Sequence, residues 1–243
     1  MDKRIYLVRH AQGEHNIAGP NSLYVPDAIL TPHGHTQCQH LQEAFPNHAS
    51  IEIVLSSPLR RAIQTAVHSF TPAILRPEVK LLLVPLAQEI SAKPCDVGHE
   101  REDLEKEMKR LLSNEGQELG FDAERIDYSI LEEGWSSKKG LYEDSLQAVE
   151  ARAAELRKWL WRRPEKEIVL VTHGAFLHYL TEDWDNFVES HGTAYKNCEF
   201  RCFSFTEDSH EKEAHLFQVG KTGSGATKPR GSHARDITGV EPN

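Results

Sequence analysis

The sequence has no long apolar run. No stretch approaches the roughly 20 apolar residues that a membrane-spanning helix needs, and mean hydropathy is −0.54. The first predicted strand begins by Ile5, which leaves no room for the charged and apolar regions of a signal peptide. We therefore expect a soluble protein of the cytoplasm with no membrane partner.

Basic clusters and cysteines are also scarce. The net charge is −9, and no block of Lys or Arg exceeds a few residues, which argues against nucleic acid as a partner. The 4 cysteines in 243 residues are too few and too scattered for a disulfide framework, so we expect reduced thiols. Internal repeats are absent, and the oligomeric state stays open.

A polar pair follows the first apolar segment. Ile5 to Val8 has the β-branched and aromatic composition of a buried strand, and Arg9 and His10 come directly after it. Buried parallel strands deliver their C-terminal residues to the crevice where ligands bind, so this pair is expected at the floor of a site. Taken alone, it also fits a strand end with two solvated side chains.

A second strand, residues 51–55, precedes another candidate residue. Ser57 and Pro58 have the residue types of a helix N-terminus, which places Arg60 in the first helical turn. Free backbone N–H groups favour an anion there. Arg61 is expected to point to the next face of the helix, away from the site.

Two further strands end beside candidate catalytic residues. Residues 80–84 lead into a loop that carries Glu89, and residues 168–171 end at Thr172-His173-Gly174. His173 thus mirrors His10 at the end of a buried strand. The remaining predicted elements are helices at 32–45, 101–112, 144–162 and 175–180 and strands at 197–205 and 213–219.

No pattern of metal ligands stands out. His33, His35, His40 and His48 are spread around a helix, and Cys198-x3-Cys202 lies in a predicted strand, so neither is expected to hold a metal. We expect no cofactor.

Together these segments resemble the histidine phosphatase superfamily, also called the phosphoglycerate mutase-like family. The resemblance rests on Arg9-His10-x5-Asn16, Ser57-Pro58-x-Arg60-x3-Gln64-Thr65, Glu89 and Thr172-His173-Gly174. Ala11 stands where that family usually has glycine. Pro94-Cys95-Asp96-x-Gly98 is similar to a loop of its fungal phosphomutase-like members.

The resemblance implies a fold and a domain plan. The fold is α/β, a three-layer α/β/α sandwich with a mostly parallel central sheet and a helical insertion after the third strand. Residues 1–220 would form one domain, with a substrate-specificity insertion at about 90–140 and a disordered tail at 221–243. Of the aromatic residues in the insertion, Phe121, Trp135 and Tyr142 are expected in the core rather than in the pocket.

It also implies a metal-independent phosphatase. His10 would attack phosphorus as a neutral imidazole to give a phosphohistidine, and Glu89 would donate a proton to the leaving alcohol. The phosphoryl oxygens of a small phosphorylated metabolite would be held by Arg9, Asn16, Arg60 and His173. The identity of that metabolite stays open.

Two alternatives remain. One is a phosphoglycerate-type mutase, but those enzymes carry Glu-Ser-x-Trp-Asn where this chain has Gly13-Glu14-His15 before Asn16, which favours a phosphatase. The other is an inactive phosphate-binding module of the same fold, for which Ala11 is the supporting feature.

Overall fold

A computed structural model describes residues 3–17, 19, 21–183 and 195–221. The tail predicted at 221–243 therefore lies, from residue 222 onward, outside the described residues. The described part is an α/β fold, as predicted.

A seven-stranded sheet forms the centre of the fold, in the order β4-β3-β2-β5-β1-β6-β7. The first five strands in that order run parallel, and the last two are antiparallel to their neighbours. The strand bounds are β1 Arg4–Arg9, β2 Ile53–Ser56, β3 Lys80–Leu83, β4 Ile126–Asp127, β5 Glu167–Thr172, β6 Phe200–Phe205 and β7 Leu216–Gln218.

Helices cover both faces of the sheet, which confirms the three-layer arrangement. Successive residues of a strand point to opposite faces. Val8 and Val54 accordingly pack with α1, α2 and α3, whereas Leu7 and Leu55 pack with α4 and α5. The helix bounds are α1 Pro32–Ala44, α2 Arg60–Ile74, α3 Arg101–Leu119, α4 Leu146–Arg162 and α5 Gly174–Thr181.

The predicted insertion contains a strand that the sequence pattern does not show. Its helix α3 is longer than predicted, and the chain then returns to the sheet as β4, which pairs with β3 through only two residue pairs. So short a segment has no visible period of alternation. Trp135 of the same region is fully buried and belongs to the core with Phe121, as expected, and Tyr142 packs against that core.

The start of α2 differs from the prediction. Ser57 and Pro58 lie before the helix, which begins at Arg60 with Leu59 as its N-cap residue. Ser57 is instead hydrogen-bonded to His173, described below. By contrast, Thr31 does cap α1, because its hydroxyl accepts the Gly34 N–H at 3.0 Å.

Of the helices within the described ranges, none combines the length and the apolar composition that a bilayer crossing would require.

The N-terminus of α1 packs tightly on the loop that follows β1. A Cβ atom at Gly34 would lie 2.2 Å from the carbonyl oxygen of Gln12. That oxygen is held in place by the Thr31 N–H at 3.0 Å and the Thr31 hydroxyl at 3.3 Å. Only glycine therefore lets the helix approach the loop this closely.

We expect Gly34→Ala to lower the free energy of unfolding by about 1–3 kcal/mol, the usual cost of overpacking against atoms that cannot move away. The higher helix propensity of alanine, worth about 1 kcal/mol, offsets only part of this cost, because the added Cβ would meet a backbone oxygen at 2.2 Å. Urea denaturation of the variant gives the value. Gly19→Ala is the matched control, because a Cβ there has no atom within 4 Å. Equal stability of Gly34→Ala and wild type would contradict the packing argument.

Candidate active site

The ends of two parallel strands bring two histidines together. Strand β1 pairs with β5 so that Arg9 is opposite Thr172, and the His10 N–H donates to the Thr172 carbonyl at 2.9 Å. The side chains of His10 and His173 therefore lie beside each other, with ring centroids 5.1 Å apart. Both are buried at the carboxyl edge of the sheet.

The backbone of the next residue determines which nitrogen of His10 carries the proton. Nδ1 of His10 lies 2.7 Å from the carbonyl oxygen of Ala11, an atom that can only accept, so Nδ1 is protonated in the neutral ring. Nε2 is then unprotonated, and its electron pair accepts a hydrogen bond from the Nε–H of Arg61 at 3.4 Å. Burial, together with Arg61 and Arg9, holds the pKa of His10 well below its usual value. The ring is thus a neutral base with a defined reactive nitrogen.

His173 is oriented by the segment that follows β2. Its Nε2 is 2.7 Å from the hydroxyl oxygen of Ser57, and the Ser57 N–H is bound to the Val171 carbonyl. Nδ1 of His173 is buried and has no hydrogen-bond partner among the residues that the structure describes. Burial is also the first cause of its lowered pKa. A bound ligand would give this nitrogen a partner.

The structure places Arg61, and not the predicted Arg60, in contact with His10. Arg60 lies outside the histidine cluster: its Nε donates to the Asp27 carbonyl at 2.8 Å, and its Nη1 pairs with Glu107 at 3.1 Å. Arg61 is fully buried and contacts His10. Because successive residues of a helix point about 100° apart, only one of the two can face the sheet edge.

Arg61 is held by groups from the predicted insertion. Its Nη1 donates to the Cys95 carbonyl at 2.6 Å, and its Nη2 pairs with Asp96 at 2.7 Å. The other carboxylate oxygen of Asp96 accepts the Ser91 hydroxyl at 2.5 Å. The guanidinium is therefore fixed in place with Nε directed at His10. Arg61 shares its helix face with Thr65, four residues later, whose hydroxyl accepts the Ala11 N–H.

Glu89, on the loop after β3, is also buried. Its Oε1 accepts the N–H of Ile90 at 2.9 Å and the N–H of Phe176, in α5, at 3.1 Å. Burial, followed by the charge of Asp96, raises the pKa of Glu89 to about 7. This carboxyl group can therefore exchange a proton near neutral pH.

Two basic side chains that sequence reasoning missed donate hydrogen bonds to the backbone around Glu89. Arg152 donates to the carbonyls of Gln88 at 2.5 Å and Glu89 at 3.3 Å. Lys138 donates to the Glu89 carbonyl at 3.1 Å and to the Gln88 side chain at 2.6 Å. Neither has a local sequence signal, because each is more than 40 residues from Glu89 along the chain.

Arg9 and Asn16 are also buried. Nη1 of Arg9 donates to the Tyr195 carbonyl at 2.6 Å, and Arg9 is one of the charges that lower the pKa of His10. Oδ1 of Asn16 accepts the Gly13 N–H at 3.1 Å, which closes the turn after His10. The assignment of Asn16 to phosphate binding stays a prediction.

Comparison with known proteins assigns the family. The family described as "Histidine phosphatase superfamily (branch 1)" matches residues 5–216. The chain belongs to the histidine phosphatase superfamily. The residue patterns around His10 and His173 therefore led to the correct family, whereas membership of a fungal subgroup stays a prediction.

Individual relatives agree with this assignment. A phosphoglycerate mutase-like protein of Arabidopsis thaliana is 34% identical, over 82% of this chain and 83% of its own length. A protein of Schizosaccharomyces pombe named "Probable phosphatase" is 29% identical, over 72% of this chain and 76% of its own. A mycobacterial glucosyl-3-phosphoglycerate phosphatase, solved with VO3, shares the fold with a TM-score of 0.50 at 19% identity, covering 91% of this chain and 100% of its own.

The two neighbouring arginines give a matched test of the site. We expect Arg61→Lys to weaken binding of orthovanadate, a phosphate mimic, about 10- to 100-fold, because hydrogen bonds to a charged group contribute about 1.5–3 kcal/mol each. Arg60→Lys should change it less than about twofold, a limit well below the contribution of one such bond. Calorimetric titration measures both affinities, and thermal unfolding verifies that both variants are folded. A larger loss in Arg60→Lys than in Arg61→Lys would reverse the assignment.

Proposed function

We propose that this protein is a metal-independent phosphoric monoester hydrolase that forms a phosphohistidine on His10. The observation that carries the proposal is the state of the His10 ring: it is neutral, its Nδ1 proton is bound to the Ala11 carbonyl, and its Nε2 electron pair lies beside Arg61. A nucleophile for phosphorus needs an unprotonated nitrogen and adjacent positive charge. A bound phosphoryl oxygen would accept the Arg61 N–H in place of Nε2, which frees the electron pair for attack.

In the first step, the phosphoryl oxygens are held by Arg9, Arg61 and Nδ1 of His173. Nε2 of His10 forms a bond to phosphorus while the bond from phosphorus to the ester oxygen breaks. Glu89 gives its proton to that oxygen, so the alcohol leaves neutral. Catalysis of phosphoryl transfer is largely positioning and charge stabilisation, which two buried guanidinium groups supply.

In the second step, water attacks the phosphohistidine. Glu89, now a carboxylate, takes a proton from the water as the oxygen bonds to phosphorus. The bond between phosphorus and Nε2 breaks, inorganic phosphate leaves, and both His10 and Glu89 return to their starting states. A pKa of about 7 suits Glu89 to both roles, because neither protonation state is strongly disfavoured at neutral pH.

The substrate that fits this proposal is a small phosphorylated metabolite of the cytoplasm. The site is lined by buried groups at one edge of the sheet and is covered in part by the insertion, whose Cys95 and Asp96 contact Arg61. All four cysteines are free thiols, which agrees with a reducing compartment.

The covalent intermediate is directly testable. We expect His10→Ala to abolish turnover of p-nitrophenyl phosphate in buffer containing EDTA, because the covalent route needs Nε2. Acid-labile phosphate should be found on wild type after rapid quenching with a ³²P-labelled substrate. His173→Ala is the comparison, since it removes an oxyanion donor and leaves the nucleophile.

Other outcomes of that experiment would indicate a different mechanism or function. Full activity in His10→Ala would refute the mechanism. A stable phosphoenzyme formed from bisphosphoglycerate, with isomerised product and no release of phosphate, would identify a mutase. Binding of phosphate without any phosphoenzyme would identify an inactive binding module.

The acid role of Glu89 predicts a dependence on the leaving group. Glu89→Gln should lose about 10²- to 10⁴-fold in rate on alkyl phosphates, which need a proton on the departing oxygen. The rate at which this variant forms the phosphoenzyme from p-nitrophenyl phosphate should fall much less, because that leaving group departs as an anion. Quenched-flow kinetics with both substrates gives the two ratios, and Glu132→Gln, at an exposed glutamate, is the control.

The same assignment predicts the sign of the pH dependence. The acid form of Glu89 is present below its pKa of about 7 and is lost as pH rises. The rate of phosphoenzyme formation from an alkyl phosphate should therefore fall above about pH 7 in wild type, and this limb should be missing in Glu89→Gln. Identical pH profiles for the two proteins would assign the proton to another group.

A further inference from the structure

A third imidazole lies beside the nucleophile. The ring centroid of His15 is 5.4 Å from that of His10, and the two ring planes are inclined at 43°. The His15 side chain is 5% exposed. It comes from the short helical turn Glu14–Asn16, in the loop that follows the first strand.

The position of this ring depends on the residue two places earlier. A Cβ atom at Gly13 would lie 2.9 Å from Nδ1 and 3.1 Å from Cε1 of His15, and 3.2 Å from the carbonyl oxygen of Ile29 on another side. The backbone of Gly13 cannot easily move away, because Asn16 binds both its N–H and its carbonyl. Glycine at position 13 therefore leaves the space that the His15 ring occupies.

The surroundings of His15 suit an anion. Burial and the charges of Arg61 and Arg9, with His10, hold the pKa of His15 well below its usual value, so the ring is neutral. Its Nδ1 is buried, with no hydrogen-bond partner in the described part of the chain. A buried polar atom without a partner is costly, and near two guanidinium groups the ligand that completes it would carry negative charge.

We propose that His15 is a further oxyanion ligand of this site, and that one ring N–H donates to an oxygen of the phosphoryl group bound at His10. This assignment rests on the proposed function. A neutral imidazole can carry its proton on either nitrogen, and a bound oxyanion selects the form that donates to it. Gly13 and His15 then act as a pair, in which one residue makes room for the other.

The test separates the hydrogen bond from the shape of the ring. His15→Phe keeps a planar ring and removes the donor, and should weaken orthovanadate binding about 10- to 100-fold, as expected for loss of a hydrogen bond to a charged group. His15→Asn and His15→Gln return an amide N–H, and at least one should recover part of the affinity. His40→Gln, at an exposed histidine of α1, should bind as wild type does.

Gly13→Ala tests the same contact with His15 still present. The added methyl group displaces the ring, so this variant should lose affinity to a similar degree. The double variant Gly13→Ala/His15→Phe should bind no more weakly than the weaker single variant, because both changes remove one interaction. Thermal unfolding without ligand verifies that each variant is folded.

The outcomes distinguish this inference from the proposed function. Wild-type vanadate affinity in His15→Phe, or additive losses in the double variant, would overturn the role of His15 even if wild type forms a phosphoenzyme. Weakened vanadate binding in His15→Phe, with partial recovery in Asn or Gln, would support it. That result would hold even if wild type proved unable to turn over any phosphate ester, because binding needs no turnover.

Discussion

The parallel pairing of β1 with β5 is the constraint on which the site depends. It places the backbone of His10 against that of Thr172, so that two imidazoles emerge side by side from strands whose residues are more than 150 positions apart in sequence. Each strand is buried on both faces. A slip of one residue in this register would turn the apolar side chains to the wrong face and separate the two rings. The stability of the core and the geometry of the site therefore rest on the same hydrogen bonds.

The second requirement is to keep positive charge buried in an acidic protein. Burying a guanidinium group is costly unless it is paired and fully hydrogen-bonded. Arg61 meets this condition through Asp96 and the Cys95 carbonyl, and Arg9 donates to the Tyr195 carbonyl. Burial, with the charge of Arg61, holds the pKa of both His10 and His173 well below the usual value. Positive charge that attracts an anion therefore lies beside neutral imidazole rings.

Opposing interactions act on the pKa of Glu89. Burial and the nearby charge of Asp96 raise its pKa, whereas two backbone N–H groups and the cations Arg61 and Arg152 favour its charged form. Asp96 belongs to the predicted insertion, and Lys138 of the same region donates to the Glu89 carbonyl. Whatever the insertion does for substrate choice, it also sets the environment of this carboxyl group.

The sequence alone indicated the family and the α/β class. It also named four candidate residues that the structure shows to be buried: Arg9, His10, Glu89 and His173. Each of these follows a buried apolar segment closely, and local order along the chain reveals such a position. Tertiary structure decided between Arg60 and Arg61, because the answer depends on the residue at which α2 begins and on the rotation of that helix against the sheet. It also brought His15, Lys138 and Arg152 to the site, since contacts between distant segments arise only when the sheet, the helices and the insertion pack together.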